Sequence, residues 1–362
     1  MNTWRVLLDL PGRAADRALG AAPAPDETGN IETPLVRSSP RANAYLSLEP
    51  GLRVFRRGDH LLTYHAQGRD AFVVGGLHGP RDSAAGALRE LGGRLASAGF
   101  RRVLLFPVSR DELNVVRAAG FDAIHTGSEA FCDPTRFFLA GKPRADLRQM
   151  LNRASRRSDL ELVEMDPARH APLLRAVYDA WLAERPVKRR LRLLVGTPMF
   201  DRPEGRRYFA VMERDAHLPA AFLTLTPGWS GAGFGVDVMA RLPDAPAGAM
   251  DLLIYGVIRR LAEQDVRLLS LGACPMSERA PVGVDDKPLL RVAFRVLEGT
   301  RLGNEIFRFR SLAHFKGKFA ERWEPVYVAC RGRVTAWSLY AGCRMWGLFA
   351  ADARRRSLTR GS

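Results

Sequence analysis

The chain has 362 residues, which is long enough to bury the cores of two domains. Its formal net charge of +16 at pH 7 predicts attraction to a polyanion, either nucleic acid or an anionic membrane surface. A charged coat that serves only solubility is the alternative. The four cysteines lie far apart, without the spacing of a zinc site or a disulfide framework, so neither is supported and a reducing cytosol is expected.

The first part of the chain changes from an irregular segment to a regular alternation of strands and helices. Residues 1–43 mix Ala, Pro, Gly and charged residues without periodicity, which predicts a flexible N-terminal arm. Short apolar runs separated by glycine turns predict strands at 54–57, 61–64 and 71–74. Ser83 and Ser109 are predicted to cap helices that end near 98 and 119, with a strand at 102–106 between them.

The second part of the chain repeats this pattern. Helices are predicted at 145–156, 168–183 and 249–263, and strands at 160–163, 208–212, 220–226, 234–239 and 268–271. Two successive units of antiparallel strands and helices predict tandem α/β domains, with mixed, mostly antiparallel sheets flanked by helices. We place these domains at 44–141 and 142–330, followed by a basic and aromatic tail or helix at 331–362.

Basic residues cluster around the predicted helix at 145–156, where only Asp146 opposes them. Clustering of this kind favours a surface that follows phosphates over a uniformly charged coat. A second basic cluster runs from Arg185 to Arg192 without an acid. The members of the first cluster are Lys142, Arg144, Arg148, Arg153, Arg156 and Arg157.

The run from Ser311 to Tyr327 places Lys316 and Lys318 among four aromatic residues. Lysines so close to aromatics suit a site that binds anionic oxygens beside flat or apolar groups. An aromatic core strand with solvated lysines at its edge is the alternative. The aromatic residues are Phe315, Phe319, Trp323 and Tyr327.

The same run resembles the closing motif of the phosphatidylglycerol lysyltransferase family, the synthase part of multiple peptide resistance factors. Further similar segments occur in the family's order and together cover roughly 45–330. The resemblance implies two acetyltransferase-like domains facing each other across a tunnel. It also implies transfer of an aminoacyl group from aminoacyl-tRNA to phosphatidylglycerol or a related polar lipid. The similar segments are Gly127-Ser-Glu-Ala130, Phe138–Lys142, Leu147–Arg153, Val236–Asp251 and Leu269–Ser277.

The resemblance also indicates site residues. It implies catalytic roles for Asp237, Asp251 and Arg241, although an arginine three residues after the first aspartate is typical of the family and Ala240 stands there. Because neighbouring strand residues face opposite ways, Arg241 must enter from the strand end, or its role is lost or supplied elsewhere. Substrate binding is expected of Lys316, Lys318, Arg308, Arg310, Glu305, Trp323 and Tyr327.

We expect no cofactor other than the co-substrate aminoacyl-tRNA, and no metal. The turn at 245–248, before the helix at 249–263, lacks the second glycine of the pyrophosphate-binding turn with which acetyltransferases hold coenzyme A. Two alternatives stay open. One is an acyltransferase acting on a peptidoglycan precursor or a small amine, and the other is a catalytically degenerate protein that binds lipid or RNA.

The C-terminal tail combines aromatic and basic residues. Its apolar run, 334–351, is interrupted near the middle by Arg344, and a charge there costs roughly 2.5 to 3.5 kcal/mol on insertion scales. We therefore expect no transmembrane span. The tail suits either an interfacial helix on anionic phospholipid or a helix packed on the domain. The predicted location is the cytoplasm, with peripheral contact at the inner face of the plasma membrane.

Overall fold

The computed structural model describes residues 36, 37, 39, 41–157, 159–185, 196–201, 203, 205–213, 216–275, 277–281 and 309–346. A short 3-10 helix, Ala42–Leu48, comes first. The α-helices are α1 (Arg81–Ser97), α2 (Leu113–Ala118), α3 (Ala145–Arg157), α4 (Pro167–Ala183), α5 (Ala249–Ala262), α6 (Phe309–Gly317) and α7 (Ala336–Met345). The strands are β1 (Arg53–Arg57), β2 (His60–Gln67), β3 (Asp70–His78), β4 (Arg102–Ser109), β5 (Phe121–Cys132), β6 (Leu160–Met165), β7 (Arg207–Glu213), β8 (Ala221–Gly228), β9 (Gly233–Arg241), β10 (Leu269–Pro275) and β11 (Arg322–Arg331).

These strands form one sheet in the order β1-β2-β3-β4-β11-β5-β10-β9-β8-β7-β6. The pairs β3–β4 and β9–β10 are parallel, and the other pairs are antiparallel. The chain builds β1–β5 with α1 and α2, and then repeats the theme with β6–β10, α4 and α5. The predicted fold class, mixed and mostly antiparallel β-structure flanked by helices, is confirmed.

Helices cover both faces of the sheet. On β11, Tyr327 packs in the cluster under α1, whereas its neighbour Val326 packs in the cluster under α7. On β7, Phe209 packs under α5 and Tyr208 under α4. Trp323 of β11 is four residues from Tyr327 and packs against the α5 cluster, so α1 and α5 share one face. The opposite face carries α4 and α7.

The 3-10 helix crosses this second face of the sheet and touches both units. Its Ser47 packs on Gly75 of β3 and its Ala42 packs on Gly235 of β9. A Cβ atom at either glycine would overlap the residue above it, so the close approach requires glycine at both positions. The predicted flexible arm is therefore wrong at its C-terminal end, since Val36 and Ala42 are buried. The boundary at 141/142 stays a prediction, and β11 pairs with β4 and β5 of the first unit.

Candidate active site

A cavity of about 240 Å³ is lined by residues from both faces of the sheet, among them Phe106 and Val326 on the α7 side and Val236 and Met239 on the α5 side. It lies where the two units meet, because its lining comes from β4 and β5 on one side and from β8, β9 and β10 on the other. The 3-10 helix and α6 complete the wall. Its charged lining residues are Arg41, Glu129, Arg185, Asp237 and Lys316.

Asp237 is one of the predicted catalytic residues, and it lines this cavity. The register between β8 and β9 shifts beside it. Val236 packs toward α5, whereas Val238 packs toward α4, and the next α5-facing residue is Met239. Strict alternation therefore breaks at Asp237 and Val238, which is the pattern of a β-bulge. The bulge turns an acid on an otherwise apolar strand toward the cavity.

A buried arginine stands next to Asp237. The Nε atom of Arg206, which lies just before β7, is 3.9 Å from Oδ2 of Asp237, and the guanidinium stacks over the ring of Tyr45 at 4.7 Å. Gly196 leaves room for the carboxylate, since a Cβ atom there would overlap Asp237. The pairing offsets the cost of placing a carboxylate in a largely enclosed site.

Arg241 does not share this position. It is exposed at the end of β9 and donates to the carbonyl of Leu242, whereas Ala240 is fully buried under α4. The expectation that positions 240 and 241 face opposite ways is confirmed. Of the alternatives for the displaced arginine, entry of Arg241 from the strand end finds no support, because Arg241 is not in the cavity lining. A cation that does stand beside Asp237 is Arg206.

Lys316 reaches the cavity from the last turn of α6 and is buried. Its Nζ donates to the carbonyl of Ala273 at 3.1 Å. Burial lowers the pKa of the Lys316 amine, partly countered by Cys274 and Glu129. A buried amine of lowered pKa can exchange a proton more readily than an exposed lysine. The alternative of a core strand with solvated lysines at its edge is therefore wrong for Lys316, which is buried on a helix.

Lys318 and Asp251 form a pair of their own. The Lys318 Nζ lies 2.7 Å from Oδ1 of Asp251 in the first turn of α5, and both side chains are largely buried. Neither residue lines the cavity. The structure thus connects the end of α6 to α5 through this pair, and the catalytic and substrate-binding roles implied for the two residues stay predictions.

Glu129 of β5 is a cavity residue that sequence reasoning missed. Its Oε1 accepts the hydroxyl of Ser270 at 2.5 Å, and its Oε2 lies 3.6 Å from Arg41. Burial raises the pKa of the Glu129 carboxyl, while Arg41 and Ser270 lower it. Arg41 also pairs with Asp111 at 2.8 Å, so it connects the N-terminal segment to the first unit.

Two further residues predicted to bind substrate, Trp323 and Tyr327, do not line the cavity. Trp323 packs against the α5 cluster, and Tyr327 is buried under α1 beside His125. Arg310 lies in the first turn of α6. Glu305 and Arg308 lie outside the described residues.

The predicted basic helix is confirmed as α3. Its apolar residues Leu147 and Leu151 are buried in the α5 cluster, whereas Arg153 and Arg156 are exposed. Arg148 lies beside them and donates to the carbonyls of Leu139 and Gly141. Together with Gln149 and Asn152, the three arginines line an open groove on the surface.

The other members of this basic cluster differ in their surroundings. Arg144 donates to the carbonyl of Lys318 and stacks over Phe137 at 4.7 Å, and burial lowers its pKa. Lys142 is exposed. Arg157 is the last residue of α3. In the second basic cluster, Arg185 stacks over Trp181 beside the cavity, and 186–195 lie outside the described residues.

A family model describing the C-terminal part of phosphatidylglycerol lysyltransferase matches residues 34–330. The chain belongs to this family. A phosphatidylglycerol lysyltransferase of Bacillus subtilis is 27% identical over 283 residues, covering 76% of this chain and 31% of that protein. This chain thus spans about a third of that relative's length.

Two solved structures share the fold. L-PGS from Bacillus licheniformis has a TM-score of 0.73 at 22% identity, covering 91% of this chain and 99% of that one. The C-terminal domain of a putative lysylphosphatidylglycerol synthetase from Agrobacterium fabrum has a TM-score of 0.70 at 24% identity, covering 88% and 95%. At these identities the likeness concerns the fold alone.

The described part of this lysyltransferase-family chain contains neither a metal-ligand cluster nor a membrane-spanning helix. No group of three or more His, Cys, Asp or Glu residues in the described ranges is placed to hold a metal ion. No helix in the part of the chain that the structure describes is long and apolar enough to cross a membrane. The four cysteines are free thiols.

The sequence analysis did not identify three residues at the site of this family member, namely Glu129, Arg206 and Arg41. Glu129 stands in the segment Gly127–Ala130 that carried the resemblance, and this is the signal that could have found it. Arg206 precedes a strand without a motif, and Arg41 falls in the segment predicted as a flexible arm. For these two arginines no signal was present in the sequence, because their partners come from distant parts of the chain.

Proposed function

We propose that this chain transfers an aminoacyl group from aminoacyl-tRNA to a hydroxyl of phosphatidylglycerol or a related polar lipid. The observation that supports it is a cavity between the two units in which the buried Lys316 lies with Asp237 and Glu129. Family membership supplies the class of reaction. In this proposal the described residues provide positioning, charge and a proton acceptor.

The reaction exchanges one ester for another. The lipid hydroxyl oxygen attacks the ester carbonyl carbon, a new carbon–oxygen bond forms, and the bond to the tRNA ribose oxygen breaks. The hydroxyl proton ends on the ribose oxygen, so atoms and charges balance. Because the aminoacyl ester is already activated, we propose that neither a nucleotide nor a metal is consumed or required.

In this scheme Lys316 handles the proton. A neutral Lys316 amine accepts the hydroxyl proton during attack and returns it to the leaving ribose oxygen, and its lowered pKa makes the neutral form more accessible. Asp237, held by Arg206, is placed to bind the ammonium group of the aminoacyl moiety.

The exposed face of α3 is proposed to bind the tRNA. Arg148, Arg153 and Arg156 line an open groove whose other members, Gln149 and Asn152, can donate hydrogen bonds to phosphate oxygens. Sequence-independent contact of this type suits a substrate recognised partly through its backbone.

Transfer is tested with purified protein, charged tRNA and vesicles containing phosphatidylglycerol. We expect a new ninhydrin-positive lipid to form. Its formation should stop when the charged tRNA is digested with ribonuclease beforehand, and when Asp237 is replaced in the Asp237→Asn variant. The control is Asp244→Asn, the same chemical change at an exposed position shortly after β9. Activity that survives ribonuclease would contradict the proposal. Altered muropeptides with unchanged lipids in expressing cells would support the alternative acyltransferase.

The tRNA surface is tested by salt dependence. Replacing Arg153 and Arg156 by alanine should weaken tRNA binding and reduce the slope of log affinity against log salt by roughly 0.7 to 0.9 per lost contact. The control replaces Arg259 and Arg260, which are exposed near the end of α5. Equal slope changes in both variants would show a general charge effect and contradict a specific groove.

A further inference from the structure

Helix α7 begins after the residues that the family model matches, since that match ends at 330 and α7 spans Ala336–Met345. One of its faces is firmly packed. Met345 and Ala341 are buried with Phe72 of β3, and Trp346, directly after the helix, stacks edge-on against Phe106 at 5.1 Å. The helix is therefore a fixed part of the sheet face rather than a loose tail.

The opposite face of α7 exposes two large aromatic side chains. Trp337 is 69% exposed and Tyr340 is 47% exposed, and their rings meet edge to face at 6.1 Å. A capping box between Thr335 and Ser338 fixes the backbone of the first turn, which carries Trp337. A pair of exposed aromatic residues in mutual contact marks a surface that gains free energy when a partner covers it.

The charges around this pair favour an anionic partner. Arg102 and Arg344 both pair with the same buried carboxylate, Asp70, at 2.6 and 2.8 Å. These three side chains together therefore carry a net charge of +1. Arg102 also donates to the carbonyl of Trp337. Arg333 is exposed just before the helix. Aromatic rings beside arginines match the boundary between lipid acyl chains and anionic headgroups.

The position of α7 relates this surface to the candidate active site. Phe106, which contacts Trp346, lines the cavity, and Val326 of the α7 cluster lines it as well. Residues that pack with α7 therefore form part of the cavity wall.

We infer that the Trp337–Tyr340 face of α7 docks the chain on an anionic lipid surface. This deepens the proposed function, on which it rests for the identity of the lipid substrate. Partial insertion of two aromatic rings predicts about tenfold weaker binding when both are removed, because each ring loses apolar contact with the lipid but is only partly buried at the interface.

Vesicle flotation tests the inference without any transfer reaction. The full chain is mixed with vesicles of phosphatidylcholine, with and without phosphatidylglycerol. We expect binding to the anionic vesicles only, lost about tenfold in the W337A/Y340A variant and largely kept in W337F/Y340F. Phe138→Ala is the matched control, since Phe138 is also 69% exposed but lies beside α3. Equal losses in the control and the double alanine variant would overturn the inference.

Two further readouts separate the possible outcomes. If the double alanine variant binds vesicles normally but changes from dimer to monomer in light scattering, the surface is a contact between copies and the inference is wrong. Transfer to a short-chain, water-soluble phosphatidylglycerol should survive in W337A/Y340A. Failure of the wild type to modify any lipid, together with aromatic-dependent vesicle binding, would refute the proposed function and leave the docking surface standing.

Discussion

Acidification should destabilise this chain through one buried histidine, His78 at the end of β3. It is 3% exposed, and its Nε2 lies 2.9 Å from the hydroxyl of Ser47 on the 3-10 helix. Burial lowers the pKa of His78 from 6.5 to about 4. The hydrogen bond holds the segment that forms one wall of the cavity, so the titration bears on the site as well as on stability.

The sign and size of the effect follow from linkage. The unfolded chain binds a proton at His78 below pH 6.5, whereas the folded chain does so only near pH 4. The contribution of neutral His78 to the free energy of unfolding is therefore fully present above pH 6.5, and it is lost as the pH falls from 6.5 to about 4. At about pH 4.5 the loss attributable to His78 is roughly 2.5 kcal/mol of unfolding free energy.

Urea unfolding followed by circular dichroism at about pH 7 and about pH 4.5 measures this loss. His78→Gln removes the titrating group but keeps an amide that can bond Ser47. Between about pH 7 and about pH 4.5, the variant should therefore lose roughly 2.5 kcal/mol less free energy of unfolding than the wild type loses. Equal losses would refute the reasoning. Should the variant not fold, a direct NMR titration of wild-type His78 decides, and a pKa above 6 would refute it equally.

Other substitutions probe the scaffold around the cavity. Asp237→Asn should abolish or strongly reduce transfer with an unchanged circular dichroism spectrum, and an unfolded variant would make the residue structural. Lys318→Ala should lower the free energy of unfolding by about 3 kcal/mol because it leaves Asp251 buried and unpaired, and Asp251→Asn added to it should restore part of that loss in urea titrations. Ser109→Ala should cost about 1 kcal/mol, measured the same way, because it removes a capping box.

Local signals in the sequence determined most of the secondary structure. The serine at 109 does cap the following helical turn, since Glu112 accepts from the Ser109 backbone N–H at 2.8 Å, and the apolar spacing of α5 and α3 matches their buried faces. These predictions succeed because capping and amphipathic spacing act within a few residues. Ser83 fails as a cap because His60 of β2 binds its hydroxyl at 2.7 Å, and α1 starts two residues earlier, at Arg81.

The site itself depended on tertiary structure. The sequence marked Lys316 and Lys318 as equivalent, but the fold buries one in the cavity and pairs the other with Asp251, 67 residues away. The direction of Asp237 comes from a bulge that only the pairing with β8 reveals. Residues 41–48 have no periodicity and become ordered because glycines on distant strands leave room for them. Residue types and local spacing thus determined the elements and the family, whereas long-range packing decided which charges meet in the cavity.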